Sequence, residues 1–204
     1  MLHMEQFLDY LPFAAAAFGI PQYLPQIVKL RRTRDIAGVS WPWATLTSVN
    51  NAAWFGYFAL SAYWTALVPS SAASVLAGTL AVMLAARGLV TVRAVLAICC
   101  WATVLVTSYA VGGLIGLGTV LAAASIVQVT PSIWTAYRTA HPTGISRGTW
   151  TLVFGELSCW TAYGLHRSDP RLIALGITGV GAAALMLART LRRPPAGRGL
   201  CGFG

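Results

Sequence analysis

Apolar residues in this chain run in long, nearly unbroken stretches, and polar residues collect in the short gaps between them. A helix that crosses a membrane needs about 20 mainly apolar residues. Seven runs fit, at 8–30, 41–62, 65–86, 90–110, 113–136, 147–166 and 171–191. The connections are short, which predicts antiparallel neighbouring helices. The narrowest break, between the third and fourth runs, is marked only by Arg87 and Gly88. The pattern predicts an all-α membrane protein with seven transmembrane helices and the lipid bilayer as its solvent.

Composition and charge sharpen this reading. Hydrophobic residues make up 57% of the 204 and charged residues 9%, against about 25% charged in a soluble domain. The net charge of +9 does not point to nucleic acid, because no basic helix or aromatic-basic stripe is present. The basic residues sit in the gaps, where they set orientation. With seven spans, one side holds Lys29, Arg31, Arg32, Arg34, Arg87, Arg93, Arg138, Arg147, Arg189, Arg192, Arg193 and Arg198, and the other only Arg167 and Arg171. The richer side is expected in the cytoplasm. That predicts a multi-pass protein of the cell membrane with its N-terminus outside and its C-terminus inside. No Lys or Arg precedes the first run, so that run reads as a retained helix and not a cleaved signal. Residues 193–204, rich in Gly, Pro and Arg, read as a disordered cytoplasmic tail.

An internal repeat organises the runs. At an offset of 106, without gaps, Gln22 falls on Gln128, Pro25 on Pro131, Arg32 on Arg138 and Thr33 on Thr139. Gly38-Val39-Ser40 falls on Gly144-Ile145-Ser146, Trp54 on Trp160 and Tyr57 on Tyr163. Shared composition would align Ala and Leu, not Pro, Gly, Ser and Trp. The unit is three helices, residues 1–88 and again 112–192, with the fourth run at 89–111 as a linker. An odd linker leaves the two three-helix bundles parallel, related by an axis along the membrane normal, as in some transporters.

The elements P-Q-I-V-K-x-x-R-T-R…G-V-S at 25–40 and A-W-F-G-Y at 53–57 resemble the PQ-loop superfamily, and within it the SWEET and SemiSWEET sugar transporters. The resemblance covers nearly the whole chain. In the second copy Pro131-Ser132 stands where the first has Pro25-Gln26. It implies a 3+1+3 layout and a carrier working by alternating access. Pro25, with Gln26, and Pro131 are then paired hinges, since a helix proline removes a backbone hydrogen bond and bends the chain. It also implies a small-molecule solute, a mono- or disaccharide first. Ser40 reads as a cap into the second helix.

Polar groups at mid-membrane usually face the interior of a bundle. Asn50 and Glu156 are repeat equivalents near the centres of their runs, each four residues before a tryptophan, Trp54 or Trp160. Residues at i and i+4 share a helix face. Each bundle is thus expected to present one polar group and one indole to a central cavity, and a flat indole suits stacking on a sugar ring. Where the family carries an amide in the third helix of each bundle, this chain has Ser70 and Gly176; Ser70, Ser71 and Ser74 offer hydroxyls in one half only. Glu156 admits three readings: a proton-coupling site, a partner for a cationic group of the solute, or a neutral carboxyl bonded to Asn50 or Thr45. The runner-up function is accordingly a proton-coupled, amino-acid-like carrier, and a non-transporting PQ-loop receptor or assembly protein is the rival from another class.

No H-E-x-x-H, G-x-S-x-G or phosphate loop is present, so no enzyme chemistry is expected. The four cysteines lack C-x-x-C spacing, and neither a metal nor a cofactor is implied. Small residues at Gly112 and Gly116 read as close helix packing, which also admits a homo-oligomer.

Overall fold

The computed structural model describes residues 2–33, 40–138 and 147–191, and among them every regular element is helical. Helices α1 (Leu2–Asp9) and α2 (Leu11–Gly19) lead through a 3₁₀ turn, Ile20–Gln22, into α3 (Leu24–Thr33). Then come α4 (Trp41–Leu60), a 3₁₀ turn at Trp64–Ala66, α5 (Leu67–Ala85), α6 (Val92–Arg138), α7 (Arg147–His166) and α8 (Pro170–Leu191). By length and composition three segments can cross a membrane: Trp64–Ala85, Val92–Thr130 and Pro170–Thr190. Helices α4 and α7 fall short of that measure because Asn50, Asn51, Glu156 and several hydroxyls dilute them.

The first predicted run is broken where a single kinked helix was expected. The departure from α geometry lies at Ile20–Gln22, one turn ahead of Pro25. Pro21 and Pro25 both lack an N–H, so two successive backbone bonds of a regular helix cannot form there. Pro25 falls in the first turn of α3, where a proline is tolerated. Pro131, in contrast, lies inside α6, which leaves helical geometry at Gly113 instead. The side chains of Pro25, Gln26 and Pro131 lie outside the described set, as do Gly38, Val39, residues 144–146 and the tail.

Helix α6 has 47 residues, some 70 Å if straight, more than twice the hydrocarbon core of a bilayer. It is not straight. Gly113, at φ 58° and ψ −148°, leaves the helical region, a conformation open to glycine and costly for other residues. A Cβ on Gly116 would overlap the Ser108 carbonyl oxygen, although residues eight apart in a helix are about 12 Å apart. The chain therefore doubles back at Gly113 into two arms, 92–112 and 114–138. Gly116 is a point of close packing between the two arms, as its small size suggested, whereas a Cβ on Gly112 would meet nothing within 4 Å.

The repeat is visible in backbone detail. Helix α4 ends with Ala62 in the left-handed region (φ 57°), and α7 with Ser168 (φ 51°), 106 residues later. Tyr63 N–H bonds the Phe58 carbonyl at 2.9 Å and Ala62 N–H that of Ala59 at 3.3 Å; Asp169 and Ser168 repeat both bonds to Gly164 and Leu165. Each is a Schellman cap. Packing repeats as well: α2 lies on α5 and α5 on α4, while the second arm of α6 lies on α8 and α8 on α7. Arg87 donates to the Leu30 carbonyl (2.7 Å) and Arg189 to the equivalent Ala136 carbonyl (3.1 Å). The two halves meet where α2 packs on α7 and α4 on α6. The main core, including Tyr57, Phe58, Leu117, Leu121, Tyr163 and Leu172, fills one end of that junction.

Candidate functional site

The other part of the junction is hollow. A cavity of about 430 Å³ lies between the halves, within the 300–1,000 Å³ usual for small-ligand sites. Asn50, Trp54 and Ser70 line it from the first half, Glu156 and Trp160 from the second. The five residues chosen from the sequence thus surround one space. Tyr23, Asn51 and Gln128 add polar groups. Gly176 is absent from the lining: a Cβ there would overlap Thr161, so it is a contact point between α7 and α8.

Helix α4 is positioned by its ends and its flank. Ser40 caps it, its hydroxyl accepting the Trp43 N–H at 3.4 Å. Ser48 and Ser74 each donate to the other's carbonyl, at 2.9 and 3.0 Å, and clamp α4 to α5. Ser74 is spent on that clamp. Ser70 donates its hydroxyl hydrogen within α5, 2.9 Å from the Ala66 carbonyl, so only its lone pairs face the cavity. Asn50 is held from outside: Trp101, on the first arm of α6, donates its indole N–H to Asn50 Oδ1 at 2.7 Å.

Glu156 is held differently. Gln22 Nε2 donates to Glu156 Oε2 at 2.8 Å. The bond runs from the 3₁₀ turn of the first half to α7 of the second. The Trp160 side chain, one turn along α7, approaches the same carboxyl. Gly19 makes room for it, since a Cβ there would stand 2.7 Å from Oε1. The expected partners Asn50 and Thr45 are engaged elsewhere, Asn50 with Trp101 and Thr45 with the Trp41 carbonyl at 3.0 Å. Among the described lining residues Glu156 is the only carboxyl, and there is no Lys, Arg or His.

One end of the cavity is shut by aromatic rings. Phe58 is stacked between Trp54 (5.4 Å between centroids, 23°) and Trp160 (5.3 Å, 7°). Phe58 has no equivalent in the second half, where Gly164 backs onto Leu172 and Ile173. Behind the stack, Tyr57 donates its hydroxyl to the buried Asp169 carboxylate at 2.5 Å, and Asp169 caps α8 by accepting the Arg171 N–H at 3.0 Å. Tyr63 meets Tyr163 edge-on at 5.9 Å, and the Arg167 guanidinium lies 4.6 Å over the Tyr63 ring. Burial first, and the Asp169 carboxylate second, push the Tyr63 phenol up from its ordinary value. Asp9 of α1 ties to His166 (3.0 Å) and Arg167 (3.4 Å). At the opposite end Trp43 and Gln128 are exposed, and there the cavity opens.

Gln22, Trp101 and Phe58 were not singled out from the sequence. For Gln22 a signal exists in Pro21-Gln22, which precedes Pro25-Gln26 by four residues, and in its match to Gln128. No cluster of three or more His, Cys, Asp or Glu fit for a metal occurs among the described residues. No protein-family model matches the chain, and no curated protein is significantly similar to it.

Proposed function

We propose that the chain is a seven-span, SWEET-like membrane carrier that moves a small polar solute, of the size and kind of a mono- or disaccharide, by alternating access between two parallel three-helix bundles. The observation that carries this reading is the shared cavity: repeat-equivalent residues of both halves surround one space that is open at one end and shut by stacked rings at the other. The hairpin at Gly113 supports counting α6 as two spans, a linker and the first helix of the second bundle. The paired Schellman caps and the repeated packing order support the 3+1+3 layout.

In this reading the Trp43 end faces the cytoplasm, following the excess of positive charge on that side, and the present form is open inward. Outward opening separates Phe58 from one of its tryptophans and parts Tyr57 from Asp169. The bundles flex at the break before Pro25 and at Pro131, which removes a backbone donor within the second arm of α6. The two indoles supply flat apolar walls for a ring, and Asn50, Asn51 and Gln128 supply directed polar groups. A filled centre would have favoured a receptor or assembly role; a hollow one does not.

The test is counterflow of labelled hexoses, glucose first, in proteoliposomes. Wild type accumulates label and Trp54→Ala does not. Absence of counterflow for every hexose, in protein that elutes as a folded species, refutes the sugar-carrier reading. Glu156 favours a second version, a proton-coupled, amino-acid-like carrier; there Glu156→Gln abolishes the response to a pH gradient while exchange survives.

A further inference from the structure

The Glu156 carboxyl has neutral company. Gln22 donates to it, Trp160 approaches it, and the backbone of Gly19 lies against it. None of these carries positive charge, and no base lines the cavity among the described residues. A buried carboxylate without a counter-charge is costly. Ionisable groups at membrane depth persist where a ligand or ion completes them. The surroundings say which kind. Trp160 hydrogen-bonds the carboxyl, and Tyr23 and Trp54 line the same cavity; aromatic faces attract cations within about 6 Å. On the facing wall Asn50 has its carbonyl occupied by Trp101, which leaves its NH₂ group to donate.

We infer that the solute carries a protonated amino group, bound at Glu156 with the ring of Tyr23 in the same cavity, and no free carboxylate: an amino sugar or an amino polyol. The inference rests on the carrier reading and names its solute class. The ammonium takes the place of a missing basic residue. The hydroxyls meet Asn50, Asn51 and Gln128. An amino acid is disfavoured because its own carboxylate would lie in the cavity without a base.

The test compares glucosamine, glucose and N-acetylglucosamine, which differ at one substituent, by titration calorimetry on the full chain in detergent at neutral pH, where the amine is still largely protonated and the carboxyl is not driven neutral by acid. Glucosamine binds about tenfold tighter or more than the other two, the yield of one charge-assisted hydrogen bond. Glu156→Gln is isosteric and can still engage Gln22; in it the preference falls to about one. Glu156→Asp keeps the charge and part of the preference, which serves if the amide variant folds poorly. Equal affinities in wild type, or a preference that survives Glu156→Gln, overturn the inference. Counterflow separates the two ideas. Amine-selective binding without any counterflow upholds the site and refutes the carrier. Glucose and glucosamine exchanging at equal rates uphold the carrier and overturn the site. Glucose uptake driven by a proton gradient and lost in Glu156→Gln assigns the carboxyl to proton coupling and also overturns it.

Discussion

Replacing Gly19 by alanine separates recognition from stability. Gly19 has ordinary helical angles, φ −75° and ψ −45°, so alanine enters without backbone strain. Alanine is worth about 0.5–1 kcal/mol more than glycine inside a helix, which offsets part of what the weakened Gln22 bond loses, and the variant should stay folded. Its new methyl, however, starts 2.7 Å from Glu156 Oε1 and 2.9 Å from the carboxyl carbon. To reach the 3.4 Å of ordinary contact the carboxyl must retreat by about 0.7 Å, enough to take a 2.8 Å bond from Gln22 to the limit of hydrogen bonding. Hydrogen bonds to charged groups contribute about 1.5–3 kcal/mol. Misplacing the carboxyl therefore costs about ten- to a hundredfold in affinity for glucosamine, with little change for glucose. Calorimetry of Gly19→Ala beside thermal unfolding reads both. Unchanged glucosamine affinity in a folded variant refutes the argument that Gly19 sets the carboxyl in place.

Other changes have equally definite outcomes. Trp101→Phe keeps an aromatic ring but leaves Asn50 Oδ1 without its donor, lowering unfolding stability by about 1–3 kcal/mol and solute affinity with it, as thermal unfolding and calorimetry would show. Tyr57→Phe leaves the buried Asp169 carboxylate short of one hydrogen bond; a loss of about 1.5–3 kcal/mol is expected in denaturant unfolding. Ala62→Gly and Ser168→Gly each relieve a left-handed residue, worth about 1 kcal/mol, and in melting experiments the double change should equal the sum of the single ones.

How much of this was legible in the sequence depended on distance along the chain. Glu156 and Asn50 could be paired because the repeat superposes them, and i, i+4 spacing brought in Trp54 and Trp160. Trp101 lies in the unrepeated linker and meets Asn50 across 51 residues, so neither device reaches it. Phe58 was hidden by the repeat itself, since its counterpart is Gly164. Hydropathy suggested separate runs on either side of Gly113 and did not foresee that a single residue turns the chain. The broken first helix is likewise not legible from Pro25 alone: Pro21 and Pro25 together remove two donors and leave a 3₁₀ turn, and that turn aims Gln22 at Glu156. The Schellman caps left no mark at all, because alanine and serine occupy positions where glycine would have announced them.

The single ring of Phe58 also decides how the halves can be combined. Trp54 and Trp160 are counterparts, and the ring between them fills a gap that both halves share. Two copies of the first half, joined face to face, would bring two phenylalanines to a gap with room for one. Two copies of the second half would bring none and leave that end unplugged. Each half has become the complement of the other, a plug on one side and a vacancy on the other. Whatever duplication produced the chain, its products are no longer interchangeable, and a chimaera with two first halves should regain a working centre only when one of its phenylalanines is cut back to glycine.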